Sequence, residues 1–504
     1  MSERARALVS TIVVSTIVAA TVVGAGPADA APLRALPETI RVNVSGLGTP
    51  SATIGSTGSS LTVTAADGRT LYRGAARTVA RTNVYRLADD GVAIPDRRTA
   101  PSEPEERTIR RERLREARRA ERELGPRAII VVPFELAALR SPDEPIGDPL
   151  LRADRVASVR YQADDGLLSF NGRVFRGTLE IAVDDEGDMI VVNTVRTADY
   201  LASVVGAEIP ATWMPEALAA QAIAARTYLL THLRRHRAYD LEGDVRDQAY
   251  GGLGTESDST VRAVERTAGV VATYRGAAIE ALYSANAGGI TEDSENVYAN
   301  ALPYLRSVPS PWDKLAETSS WGRTSWEWTR EITAPQLRDH LLVRGIDVGE
   351  PQRIELLDLA PTGRVMRARV IGSRGSRDIG KDASRYYFGL RSSLFTVEVR
   401  PGGEPETVDY KDADRIRTLE GLGARRVGTS YRVVRDDDRK IVAFFVTSFT
   451  FELPARFEFK GKGFGHGVGM SQWGMQGMAL EGASAERILA HYYRGIALTQ
   501  VGGP

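Results

Sequence analysis

The sequence predicts an α+β protein: a strand-rich main unit with a few helices, preceded by a smaller, mostly-β N-terminal region that carries one charged helix. Three observations lead there. Short runs with period-two alternation recur along the chain, closed by turn dipeptides such as Asp67-Gly68, Asn171-Gly172 and Arg275-Gly276. One alanine-rich stretch beginning at Pro215 places Leu218, Ala222, Ala225, Leu229 and Leu233 on a single helical stripe. The block Ser102–Arg127 is nearly all charge and consists of helix formers.

Length and composition bound the rest. At 504 residues the chain has room for two or three domains and a sizeable core. Lys plus Arg equals Asp plus Glu, 65 each, so no global field points to nucleic acid or to an acidic partner. With 42% hydrophobic and 26% charged residues the composition is globular. There is no cysteine. That excludes disulfides, a thiol nucleophile, cysteine-ligated zinc and lipoprotein attachment.

In chain order, residues 1–30 read as a secretory signal. Arg4 and Arg6 precede the apolar run Ala7–Val23, and Ala28-Asp29-Ala30 offers a small-residue cleavage site. A retained signal anchor is the alternative, because the apolar core approaches spanning length. Either way the sequence predicts export, with the chain secreted or at the cell wall. Residues 31–155 form the N-terminal region: short strands to about residue 74, a solvated helix or spacer over 102–127 laced with i,i+4 pairs, and an apolar strand over 128–133. The loop-like segment 139–154, with Pro142, Pro145 and Pro149, predicts a boundary, so the main domain is expected over 156–504. It opens with strands in Gly166–Val183 and Met189–Val195.

Those strands feed Asp199–Tyr228, the stretch on which the function turns. It sets Glu208 among Val204, Val205, Ala207, Ile209, Pro210 and Trp213. Loss of hydration raises a carboxyl pKa toward the range of a general acid; a capping or ion-paired carboxylate between two helices fits the same spacing. The following helix is expected to have Thr212 as N-cap, Pro215 in its first turn and Glu216 at its positive end. Gln221 and Tyr228 flank the apolar stripe on one edge and Arg226 on the other, where polar groups could line a groove. His232 and His236 stand i,i+4, but neighbouring Arg234, Arg235 and Arg237 make a surface helix end the better account than a zinc site.

VVGAEIPATWMPEALAAQAIAARTY resembles the signature of the stage II sporulation protein D family, which includes the amidase-enhancer (LytB) type. The resemblance runs from about residue 156 to Leu498. It continues in Asp247–Gly252 (DQAYGG), similar to the family's Q-x-Y-x-G element, in Tyr283–Glu292, in Pro303–Asp313, and in the long motif GHGVGMSQWG from Gly465. Members characterised as enzymes are lytic transglycosylases of peptidoglycan. The family's catalytic glutamate maps onto Glu208 and its arginine onto Arg226. Ser284, Asn286, Gly288, Gly289, Thr291 and Glu292 would line the site in the loop beside it, and His466, Ser471, Gln472 and Trp473 would position sugar hydroxyls, N-acetyl groups or the acid. Ordinary turn and structural roles stand beside each of these. Some members bind zinc through a cysteine and a histidine near this loop; here the residues are Ser284-Ala285-Asn286, so no metal is carried over, and no cofactor is expected. Trp321, Trp326 and Trp328 either stack on sugars or pack in a core.

The resemblance implies that one carboxylate acts first as acid and then as base, and that the C6 hydroxyl of N-acetylmuramic acid closes a 1,6-anhydro ring. For that role Arg226 is expected not to pair tightly with Glu208. It also implies glycan strands stripped of stem peptides as substrate and an N-acetylmuramoyl-L-alanine amidase as partner. Two alternatives remain: a non-catalytic amidase modifier, and a hydrolase using a second acid such as Glu292.

Overall fold

A computed structural model describes residues 33–502, apart from the runs 47–51, 75–78, 89–90, 93–128, 136–153, 184–188, 234–235, 401–405, 411–424, 436–440 and 452–454 and single positions 34, 58, 67, 69, 86, 157, 237 and 321. The expected signal segment 1–30, the charged helix 102–127, the arginines around His236 and Trp321 therefore lie outside the described residues. The architecture is α+β and strand-rich, as the alternation predicts. Two compact units divide the chain: residues to Leu282 together with those from Met478 onward, and Tyr283–Gly477.

The first unit is built on an eleven-stranded sheet among the described residues. Its spatial order runs Leu241–Glu242, Thr39–Asn43, Met189–Arg196, Arg173–Val183, Val159–Phe170, Ala52–Ser56, Val79–Tyr85, Ile129–Glu135 and Asp154–Val156. Leu61–Ala65 also pairs with Val159–Phe170 and carries Thr70–Gly74 on its other side. The hairpin at Asn171-Gly172 turns with both residues at positive φ, 48° and 76°, the twist that suits two-residue hairpins. The boundary expected at 155/156 does not divide this sheet, since segments on either side of it pair with one another, as in Val159↔Ala65 and Thr39↔Arg196. Proline spacing reports only local chain behaviour, whereas these pairings join segments about 100 residues and more apart.

Three helices cover the site end of this unit: α1 (Thr197–Glu208), α2 (Pro215–His232) and α3 (Asp258–Arg266). Helix α2 has Met214 as N-cap and Pro215 at its first position, so Thr212 does not cap it. From Ala217 to Leu229 every residue of α2 is buried. The expected groove edges at Gln221 and Arg226 are thus interior. Six alanines let α1, α3, the strand Val270–Tyr274 and the helix Ala485–Tyr492 approach from different sides. Gly206 serves the same closeness on α1, where a Cβ would lie 1.9 Å from the Thr255 carbonyl oxygen. Helix α3 starts on a capping box formed by Ser257 and Thr260.

Among the described residues the second unit contains three three-stranded sheets. Arg456–Lys462 lies between Glu327–Thr333 and Phe395–Arg400; Val365–Gly372 lies between Pro351–Leu359 and Gly375–Gly380; Ile441–Phe451 lies between Glu406–Tyr410 and Arg425–Arg435. A helix forms over Ala334–Leu342, after a strand ending at Thr333, whose hydroxyl caps it. Trp328, Leu337, Phe388, Phe395, Phe457 and Phe459 share one core. Trp328 is a core residue, its indole N–H donating to the Gly463 carbonyl at 2.9 Å. Trp326 is only partly buried and carries Lys462 4.9 Å above its ring.

Candidate catalytic site

Glu208 is the last residue of α1 and is partly buried. Its Oε1 accepts the backbone N–H of Ala249 at 3.3 Å. Segment 247–249 runs along α2 and ties three site elements together. Asp247 accepts the Tyr228 hydroxyl at 3.2 Å and the Glu242 backbone N–H at 2.8 Å. Gln248 accepts the Tyr200 hydroxyl at 3.2 Å and donates to the Ala225 carbonyl at 3.4 Å. Tyr200 also packs on Tyr250, whose hydroxyl donates to Asn193 at 2.7 Å, so the loop is anchored to the sheet. Tyr228 stacks on His232 at 3.6 Å. His232, expected on the surface, is buried with Nε2 3.6 Å from Glu280.

Arg226 sits elsewhere. Its guanidinium is fully buried and donates to Thr267 Oγ1 at 3.1 Å, the Val270 carbonyl at 3.3 Å and the Val264 carbonyl at 2.9 Å. It locks the C-terminal turn of α3 to α2, and burial lowers its pKa to about 10. Gln221 is likewise fully buried, and neither amide atom finds a hydrogen-bond partner among the described residues.

The remaining candidates lie in the second unit, around an aspartate that motif reasoning passed over. Asp313 is fully buried and accepts the hydroxyls of Ser471 and Ser310 and the N–H of Gly289. Desolvation raises its pKa against the pull of those donors. Asn286 donates to the Asp313 carbonyl at 2.9 Å and accepts the Gly288 N–H at 2.8 Å; Ser471 accepts the Ala287 N–H at 3.2 Å. The glycines at 288 and 289 adopt φ of 79° and 99°, which this tight loop requires. Thr291 is buried and bonded to the Val308 backbone. Glu292 is buried and accepts from Thr362, Asn296 and the Asp293 N–H. Ser284 is buried in the parallel pairing with Ser471.

His466 is partly exposed, yet its ring is tied to backbone. Nδ1 accepts the Val468 N–H at 3.0 Å, and the ring also bonds to the Tyr283 backbone. Desolvation lowers its pKa to about 4, keeping the ring neutral near pH 7. Gln472 and Trp473 are buried, with the indole of Trp473 packed on Gly322 and the backbone N–H of Trp473 donating to the Ala285 carbonyl at 3.1 Å. The donors at 284–287, a serine hydroxyl, an asparagine engaged with Asp313 and two alanines, do not fit a zinc centre.

The signal that could have found Asp313 is its place at the end of PYLRSVPSPWD, just after two prolines. Arg364, described below, had only the turn Thr362-Gly363 before it. No helix among the described residues is long and apolar enough to cross a membrane.

A family profile described as "Stage II sporulation protein" matches residues 185–274, which span α1, α2, α3 and the DQAYGG segment. An uncharacterised protein of Brachyspira hyodysenteriae is 27% identical over 339 residues, 67% of this chain and 75% of that one. Stage II sporulation protein D of Bacillus subtilis is 26% identical over 326 residues, 61% of this chain and 76% of that one. The amidase enhancer of Bacillus subtilis is 29% identical over 321 residues, covering 59% of this chain but only 40% of the relative. The matched profile falls on the helices that hold Glu208, and the relatives extend the likeness well beyond it; the profile and the relatives together support a place for this chain beside stage II sporulation protein D and the amidase enhancer, to which it is similar.

Proposed function

We propose that the chain is an exported lytic transglycosylase of peptidoglycan, cutting peptide-stripped glycan between N-acetylmuramic acid and N-acetylglucosamine in cell-wall remodelling. The observation that carries this reading is Glu208: a partly buried carboxyl at a helix end, one oxygen held by the Ala249 N–H, with Arg226 committed to Thr267, Val264 and Val270. Glu208 donates its proton to the glycosidic oxygen as the C1–O bond breaks. The resulting carboxylate then takes the proton of the C6 hydroxyl, whose oxygen closes on C1 to give the 1,6-anhydro end. No water is consumed, so one carboxylate suffices where a hydrolase needs two. Glu292, already accepting three hydrogen bonds, is a poor second acid.

The test is mass spectrometry of peptide-free glycan incubated with the protein and with Glu208→Gln. Anhydro-ended fragments from the first and none from the second are expected; reducing ends would overturn the mechanism. A second reading, a non-catalytic modifier of an N-acetylmuramoyl-L-alanine amidase, is favoured by the name of one relative. It requires no fragments from either protein and a change in the amidase rate that Glu208→Gln leaves intact.

A further inference from the structure

The second unit holds a buried cation, two of whose three nitrogens find no acceptor among the described residues. Arg364 is 1% exposed, and its Nη2 donates to the Ala287 carbonyl. Nε and Nη1 are buried and find no hydrogen-bond partner among the described residues. The carboxylates that face it electrostatically are Glu292, Asp382 and Asp313. Each is closed on other donors: Glu292 on Thr362, Asn296 and Asp293; Asp313 on Ser471, Ser310 and Gly289; Asp382 on Arg385 at 2.7 Å. A guanidinium left in this state bears the desolvation cost of its N–H groups without return.

Its surroundings are built around it. Gly467 has φ of +76°, and a Cβ there would lie 2.1 Å from Nη2, so the loop backbone packs directly on the guanidinium. Ser284, packed against Gly465 of the same loop, has a buried hydroxyl that also lacks a partner among the described residues. Between these glycines His466 is the partly exposed residue, its ring tilted against that of Tyr298 with the centroids 5.7 Å apart.

We propose that Arg364 is the centre of a carboxylate-binding site, entered beside His466 and assisted by Ser284. On the glycan-cleavage reading, on which this identification of the ligand rests, the carboxylate is the lactyl group of a muramic residue freed of its stem peptide. Nη2 has a second hydrogen, and with Nε or Nη1 it makes the planar fork that matches both carboxylate oxygens. A lactyl group still joined to peptide is an uncharged amide that keeps one acceptor oxygen and turns an N–H toward the guanidinium, so it loses both the charge and one of the two acceptors that the fork matches. The site therefore discriminates stripped from unstripped strands.

The experiment uses the full chain carrying Glu208→Gln, so that ligand is bound and not cut. Calorimetric titration compares a peptide-free muramoyl oligosaccharide with the same oligosaccharide after conversion of its carboxylates to methylamides. The free acid is expected to bind at least tenfold more tightly, Arg364→Gln to bring the ratio to about one without weakening the amide form, and Ser284→Ala to reduce it severalfold. A purely structural Arg364 would weaken both forms alike. Should Arg364→Gln not fold, Arg364→Lys, which keeps the charge but not the fork, is expected to lose most of the ratio. Equal binding of acid and amide by the Glu208→Gln chain, or a ratio unchanged in the Arg364 variant, overturns the site. A separate arm compares D-lactate with D-lactamide in thermal melts: stabilisation by the acid alone, lost in the variant, supports the site even if no glycan binds, in which case the glycan reading falls by itself. No difference between the two small ligands, with no glycan discrimination, overturns the proposal.

Discussion

Protonation of His466 should destabilise the second unit from within, and the size of the effect follows from the ring's surroundings. Nδ1 accepts the Val468 N–H, so a proton there meets a donor in place of an acceptor. With a folded-state pKa of about 4 against 6.5 unfolded, the unfolded chain binds the extra proton between those values. Stability is therefore complete above pH 6.5, falls as pH drops toward 4, and levels off below. Linkage gives about 2.5 kcal/mol lost between pH 7.5 and 4.5 from this one group. Other groups titrate in the same range, so the quantity to measure is a difference. Five of the six tryptophans lie in the second unit, which makes indole fluorescence during urea unfolding a report on that unit. His466→Gln should be less stable at pH 7.5, since it loses the ring's two backbone bonds, and the gap to the parent should close by about 2.5 kcal/mol at pH 4.5. A gap that stays constant from pH 7.5 to 4.5, or an imidazole NMR titration of His466 near 6.5, would refute the reasoning.

Arg226→Met should lower stability by about 3 kcal/mol, because Val264, Val270 and Thr267 lose their donor. Glycan cleavage should then fall only in step with the folded fraction in thermal melts; a fall in kcat with an unchanged melt would return Arg226 to the substrate. Asp313→Ala should cost about 3 kcal/mol by stranding the buried Ser471 and Ser310 hydroxyls and the Gly289 N–H, and Asp313→Asn should cost less; calorimetry reads both. Gly206→Ala puts a Cβ 1.9 Å from the Thr255 carbonyl oxygen, two residues before Glu208. It should destabilise by about 3 kcal/mol and, where folded, slow cleavage by about a hundredfold through displacement of the carboxyl. Activity at the parental level in a folded Gly206→Ala protein would separate Glu208 from the chemistry.

Much of this was legible in the sequence, for physical reasons that differ from place to place. Alternation and turn dipeptides are local: Asn171-Gly172 and Arg275-Gly276 determine their hairpins because few residues tolerate positive φ, and both sites adopt it. The helical spacing after Pro215 fixed α2, and the motif around Glu208 gave the family. Tertiary packing decided what spacing could not. A stripe of alanines is apolar on every side once neighbours approach closely enough, so Arg226 and Gln221 became interior residues and not the walls of a groove. The run Leu139–Asp154 looks like a linker by composition, yet strands on either side of it share one sheet, because pairing partners are chosen by the fold and leave no local mark. Asp313 and Arg364 are single charges in ordinary turns of sequence. What makes them matter is burial, which sets one among hydroxyls that saturate it and leaves the other with two nitrogens that no described residue accepts from.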